Sequence, residues 1–158
     1  EIWVSRGGRV SELRGQRLTP LSFAEGSNNR YVTGIGVSRD DHLWVVAGEA
    51  AYKWKDDSLG EKLGGVPWPY QPFLKVVETQ SGALAASTSA HGFALIRGGA
   101  EGALVFGRTN GFPSDWVTAL CEDREGNLWV GTGGAGLAAD HLGDGQVLVG
   151  IDCLGQHH

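Results

Sequence analysis

The residues best suited to hold a ligand lie in short stretches that carry no strand pattern. Asn29, Arg30 and Tyr31 stand together, as do Trp68, Tyr70 and Gln71, and as do Asp115 and Trp116. Aromatic rings stack on the C–H faces of a sugar, and amide, guanidinium and carboxylate groups bind its hydroxyls. The same rings could instead cap an inner core or plug a channel. Trp68 and Tyr70 are the stronger candidates, because the prolines around them stiffen a loop with little packing reason to hold two aromatics. His91 and Glu49 fall on loops that a repeat would make neighbours, and such a pair could serve as acid and base.

Other chemistry finds less support. No His-x-x-x-His or Cys-x-x-Cys spacing occurs, and His42, His91 and His141 are widely separated, so no metal is expected. The acidic run Glu122-Asp123-Arg124-Glu125 lacks the spaced oxygen ligands of a calcium loop and reads as a solvated hairpin turn. Gly133-Gly134-Ala135-Gly136 leads into no helix and is no phosphate cradle. No Gly-x-Ser-x-Gly nucleophile motif is present, and no cofactor is implied. Cys121 falls in an inner strand and is expected to be a buried free thiol, with pairing to Cys153 open in an oxidising compartment.

These loops need elements to position them, and the elements repeat. Ile2-Trp3-Val4, Leu43-Trp44-Val45, Leu84-Ala85-Ala86 and Leu128-Trp129-Val130 begin at steps of 41, 41 and 44 residues. Ahead of the last three run Val32–Val37, Phe73–Glu78 and Val117–Glu122. Nine residues after the Leu column come Tyr52, Phe93 and Leu137. Tyr31, Pro72 and Trp116 form another column, twelve residues before it. Each unit reads as a strand, a tight Asp- or Gly-containing turn, the Leu-Trp-Val strand, a Gly-rich connection, a third strand and a weaker fourth. Fourth strands are placed at Arg17–Phe23, Ala103–Phe106 and Gln146–Val149. Trp3, Trp44, Trp54 and Trp129 then serve packing.

Four short antiparallel strands at this period define an all-β fold of β-propeller type, with about four blades. Residues 1–30 make a partial blade without its inner strand; 31–71, 72–114 and 115–150 make full blades; 151–158 are a tail. Because a stack of blades leaves apolar faces open until a ring closes, a piece of a larger propeller or an oligomeric ring is favoured over a lone closed chain. The terminal His157-His158 pair fits a tag remnant or a native end equally.

Composition agrees. Glycine is 26 of 158 residues, about 16% against a typical ~7%. A net charge of −5 argues against a nucleic-acid partner, and no apolar run approaches the ~20 residues of a membrane helix.

The stretch Trp116 to Leu137, with Glu122-Asp123, the Gly126-Asn127 turn, Leu128-Trp129-Val130-Gly131-Thr132 and Gly133-Gly134, resembles the two-component regulator propeller repeat. The second unit departs from it with Val46-Ala47 in place of Gly-Thr, and the third has Ala85 in place of Trp. The resemblance implies a bacterial, periplasmic or extracellular sensor portion that binds a carbohydrate or another small nutrient and does no catalysis. Two alternatives stay open: a propeller lyase or hydrolase centred on His91, and a protein-interaction scaffold.

Overall fold

The computed structural model describes residues 1–21, 31–133, 137–141 and 146–150. Among them are four antiparallel sheets. The first has three strands, β1 (Ile2–Arg6), β2 (Arg9–Arg14) and β3 (Arg17–Pro20). The second holds β4 (Val32–Val37), β5 (Leu43–Ala47), β6 (Ala50–Lys55) and β7 (Ser58–Gly64). The third holds β8 (Lys75–Glu78), β9 (Leu84–Ser87), β10 (Phe93–Gly98) and β11 (Gly102–Phe106). The fourth holds β12 (Val117–Glu122), β13 (Asn127–Thr132), β14 (Leu137–His141) and β15 (Gln146–Gly150). In every sheet the strands pair in sequence order, so short turns suffice to connect them. As expected, the first sheet begins at the Ile-Trp-Val strand, and among the described residues no strand pairs with it on its inner side.

The turn between the first two strands of a full sheet is built the same way three times. The amides of Ser38, Thr79 and Asp123 donate to the carbonyls of His42, Ala83 and Asn127. Their own carbonyls accept the amides of Asp41, Gly82 and Gly126. Those last residues are left-handed, with φ of 63°, 86° and 85°, so glycine fits two of them without strain and Asp41 tolerates the third. The side chains of Ser38 and Asp123 each accept an amide four residues on, from His42 and Asn127. This explains why Ser or Asp opens the turn. A second repeated device is a bulge where β4 and β12 begin, at which the Thr33 and Thr118 hydroxyls donate to the carbonyls of Val46 and Gly131.

One sheet packs on the next through side chains that alternate along each strand. Leu43 and Val45 face back to Val10 of the first sheet, with Trp54. Trp44 and Val46 face forward onto Val76, Leu84, Ala86 and Ile96 of the third sheet. Ala85, Phe93 and Leu95 face forward onto Leu120, Leu128 and Val130 of the fourth. The Leu column therefore looks backward and the Trp column forward at every joint. At the two outward-looking ends the same positions are open: Ile2 is 57% and Trp129 38% exposed, whereas Leu43 and Trp44 are each 1% exposed.

One expectation needs correction. Cys121 is exposed. Its repeat partners Gly36 and Val77 look forward and are covered by the next sheet, while Cys121 lies opposite Trp129 on the uncovered forward face. Its pairing with Cys153 lies outside the described residues. The fourth strand of the second sheet, β7, completes the four strands expected there although Ser-Leu-Gly-Glu-Lys-Leu-Gly has no β-branched or aromatic residue; its pairing with β6 holds it in place.

Candidate ligand-binding end of the stack

The sheets present two kinds of end. At one lie the connections into each inner strand and the turns from the second strand to the third. At the other lie the Asp- and Gly-containing hairpin turns. The first end collects the candidates named from sequence, and it divides them into two groups.

Tyr31, Glu49 and Tyr70, with Pro69, line one cleft of about 910 Å³. They come from three connections far apart in the chain, and β6 and β7 add Tyr52 and Lys62. The Lys62 ammonium stands 5.9 Å from the Tyr52 ring, a cation–π distance. Tyr31 and Tyr70 are 60% and 86% exposed, so both rings are available to a solute. The Tyr31 ring packs against Gly8, where any side chain would strike it. The Glu49 carbonyl accepts the Val66 amide at 3.1 Å, which ties the two loops that frame the cleft.

The second group is held more by packing. Trp68 is half-buried against the core between the second and third sheets and stacks on His91, with ring centroids 5.4 Å apart. Its φ of 53° is left-handed and unusual for a bulky residue. Gln71 is exposed, and its amide closes the turn onto the Trp68 carbonyl at 2.9 Å. The Asp115 carbonyl accepts the Gly92 amide at 2.7 Å, and its carboxylate accepts the Arg108 amide at 2.8 Å, so Asp115 braces the loop beside His91. Trp116, 50% exposed, lies over Gly133. Asn29 and Arg30 lie outside the described residues.

His91 and Glu49 are thus placed differently. Glu49 lines the tyrosine cleft, His91 stacks on Trp68, and no hydrogen bond or ion pair joins them among the described residues. Tyr52 is legible from sequence only as a repeat column of the third strand, and Lys62 lies on a strand without strand composition, so neither stands out there as a ligand contact.

The opposite end carries the ionic detail. Glu78, at the end of β8, accepts the Arg39 amide at 2.7 Å and the Trp44 indole at 3.2 Å, both from the sheet before it. Glu122, at the end of β12, accepts the Gln80 amide at 2.8 Å in the same way. The second sheet ends its inner strand in Val37 instead, and a cleft of about 640 Å³ lies there, lined by Trp3, Glu12, Val37 and Asp40 among others. Ser38 donates to Asp40 and holds its carboxyl well below the usual range.

Asp123 accepts the Trp129 indole at 2.9 Å and the Asn127 side-chain amide at 2.9 Å, and these bonds lower its carboxyl to about 2. The ionised form is favoured by the fold, so its contribution is complete above the ordinary value near 3.8 and is lost as pH falls through about 2. An NMR titration of the Asp123 carboxyl should give a midpoint near 2, and a midpoint at the ordinary value would show these bonds absent in solution.

Four-stranded sheets stacked in chain order define a β-propeller portion of about four blades, the first without an inner strand among the described residues. Within it, residues 111–134 match the two component regulator propeller family, the repeat named above. No curated protein matches the chain. Among solved structures it is similar to the extracellular domain of BT3049 from B. thetaiotaomicron, described as a hybrid two component system, at 16% identity and a TM-score of 0.62 over 94% of this chain and 23% of that one. The corresponding domain of BT4673 gives 15% identity and 0.62, over 93% and 23%. Virginiamycin B lyase from Staphylococcus aureus gives 11% identity and 0.62, over 92% and 49%. The chain therefore spans about a quarter to a half of the length of these proteins. Among the described residues no helix is long and apolar enough to cross a membrane.

Proposed function

We propose that this chain is a ligand-sensing propeller portion of a bacterial signalling protein, working outside the cytoplasm and without catalysis. Its ligand is a carbohydrate or another small nutrient, held at the tyrosine cleft. The observation that carries this reading is the convergence of Tyr31, Glu49 and Tyr70 from three separate connections, with two exposed rings beside a carboxylate and a lysine. That combination offers stacking faces and hydroxyl partners together. The regulator-type repeat supports the sensing role, and the extracellular domains with the same fold support the location.

Calorimetry of the chain against a glycan and nutrient panel should find a binder whose affinity falls about tenfold or more in Tyr70→Ala, a loss of ~1.4 kcal/mol or more. Glu49→Gln should weaken it as well. Undiminished binding in both variants would remove the cleft from the reading. Turnover of any panel member that is lost in His91→Ala would favour the lyase alternative, which the fold of virginiamycin B lyase keeps in view.

A further inference from the structure

The tyrosine cleft has a negative and a positive end. Among the described residues Glu49 and Lys62 are its two charged lining residues, and both side chains are exposed. Neither forms an ion pair among the described residues, with the other or with a third group. Lys53, which faces the other way with Trp44, differs: its ammonium lies 3.6 Å from Asp40 and 3.4 Å from Glu61. Strand register sets what separates the two unanswered charges. Tyr52 stands opposite Lys62 and Ala50 opposite Gly64, so these four residues share the face that lines the cleft. Glu49 is the residue beyond Ala50, three residues from Tyr52, or about 10 Å along an extended chain. The floor between them is small: Ala50 offers a methyl, and a Cβ on Gly64 would meet nothing within 4 Å. Tyr31 and Tyr70 belong to connections at the Glu49 end, while the Lys62 ammonium stands by the Tyr52 ring.

We propose that the cleft takes a small zwitterion, its ammonium at the Glu49 end and its carboxylate at the Lys62 end; this rests on the sensing reading above and narrows the nutrient to that class. A carboxylate beside exposed tyrosine faces attracts an ammonium through charge and through the ring quadrupole. Lys62 is the lining cation that can answer a ligand carboxylate with charge-assisted hydrogen bonds. A short run of carbons, or one peptide unit, lies over Ala50 and Gly64 and keeps the two charges apart. A neutral sugar would find rings and polar partners here but would leave both protein charges without a counter-ion.

The test is a chemical-shift titration of the isotope-labelled chain with two zwitterions, 5-aminopentanoate and alanylalanine. Pentanoate and pentylamine are the single-charge forms of the first, and the N-acetyl and C-terminal amide derivatives are those of the second. Each zwitterion should bind at least about fivefold more tightly than either of its single-charge forms, the worth of one well-placed exposed ion pair. Lys62→Met should remove the advantage over the forms that keep only the ammonium. Glu49→Gln should remove the advantage over those that keep only the carboxylate. A merely structural role for either residue would not divide the losses in this way. Gly64→Leu should abolish binding with little change in Tm, because its side chain fills the floor without meeting a neighbour. Zwitterions that bind no better than their single-charge forms would overturn the proposal. So would an advantage that survives in both charge variants, or binding that survives Gly64→Leu. A neutral glycan that binds and is lost in Tyr70→Ala, with both zwitterions silent, would remove the zwitterion and leave the sensing reading standing.

Discussion

Trp44→Ala is expected to cost about 3–5 kcal/mol, the usual range for deleting a large buried aromatic, while Trp129→Ala should cost under about 1 kcal/mol, as for most exposed sites. The two residues hold the same place in the repeat and the same place on their strands. They differ in what lies ahead of them. Trp44 is 1% exposed under the third sheet and donates to Glu78, and Trp129 is 38% exposed with its indole turned to its own hairpin. A domain has only ~5–15 kcal/mol in total, so the first variant should show a much lower denaturation midpoint. Urea titrations of both variants followed by circular dichroism decide the matter. Equal losses would mean that the forward face of the second sheet is no better covered than that of the fourth.

The second large effect comes from backbone contact between inner strands. A Cβ on Gly36 would sit 2.3 Å from the Val76 carbonyl oxygen, and β8 has no flexible side chain there to give way. Gly36→Ala should therefore push the second and third sheets apart, at about 2–3 kcal/mol for overpacking against backbone. For a chain of this size that corresponds to a fall in Tm of roughly 4–12 °C. Gly64→Ala makes the matched control, since a Cβ there meets nothing within 4 Å. It should leave Tm unchanged or raise it slightly, because alanine has less freedom to lose on folding. Calorimetric scans that show the two alanines lowering Tm alike would contradict this packing.

Much of this architecture was legible in the amino-acid sequence, for a physical reason. A blade cannot hide its own faces, so each unit must repeat the same inward residues, and the Leu and Trp columns record that demand at a fixed interval. The hairpin turns were legible because a left-handed residue is needed at one place, and only a few residue types accept it. What escaped was fixed by contacts between units. Cys121 reads as core because its strand is apolar, yet its burial depends on a neighbour rather than on its own strand. β7 is held by hydrogen bonds to β6 and lacks strand composition. The binding candidates were found as types, but their grouping was not. Glu49 joins Tyr31 and Tyr70, while His91 joins Trp68, because the lean of each connection is set by which sheet it packs against.

The order and facing of the sheets can be read directly from nuclear Overhauser effects in an isotope-labelled chain. The account places the Trp44 indole against the methyls of Ile96 and Leu84, the Trp54 indole against those of Val10, and no methyl of another sheet against the Trp129 indole among the described residues. Cross-peaks in that pattern are the expected result. Cross-peaks from Trp44 to Val10, or none from it to the third sheet, would contradict the stacking on which the cleft and the open face both depend.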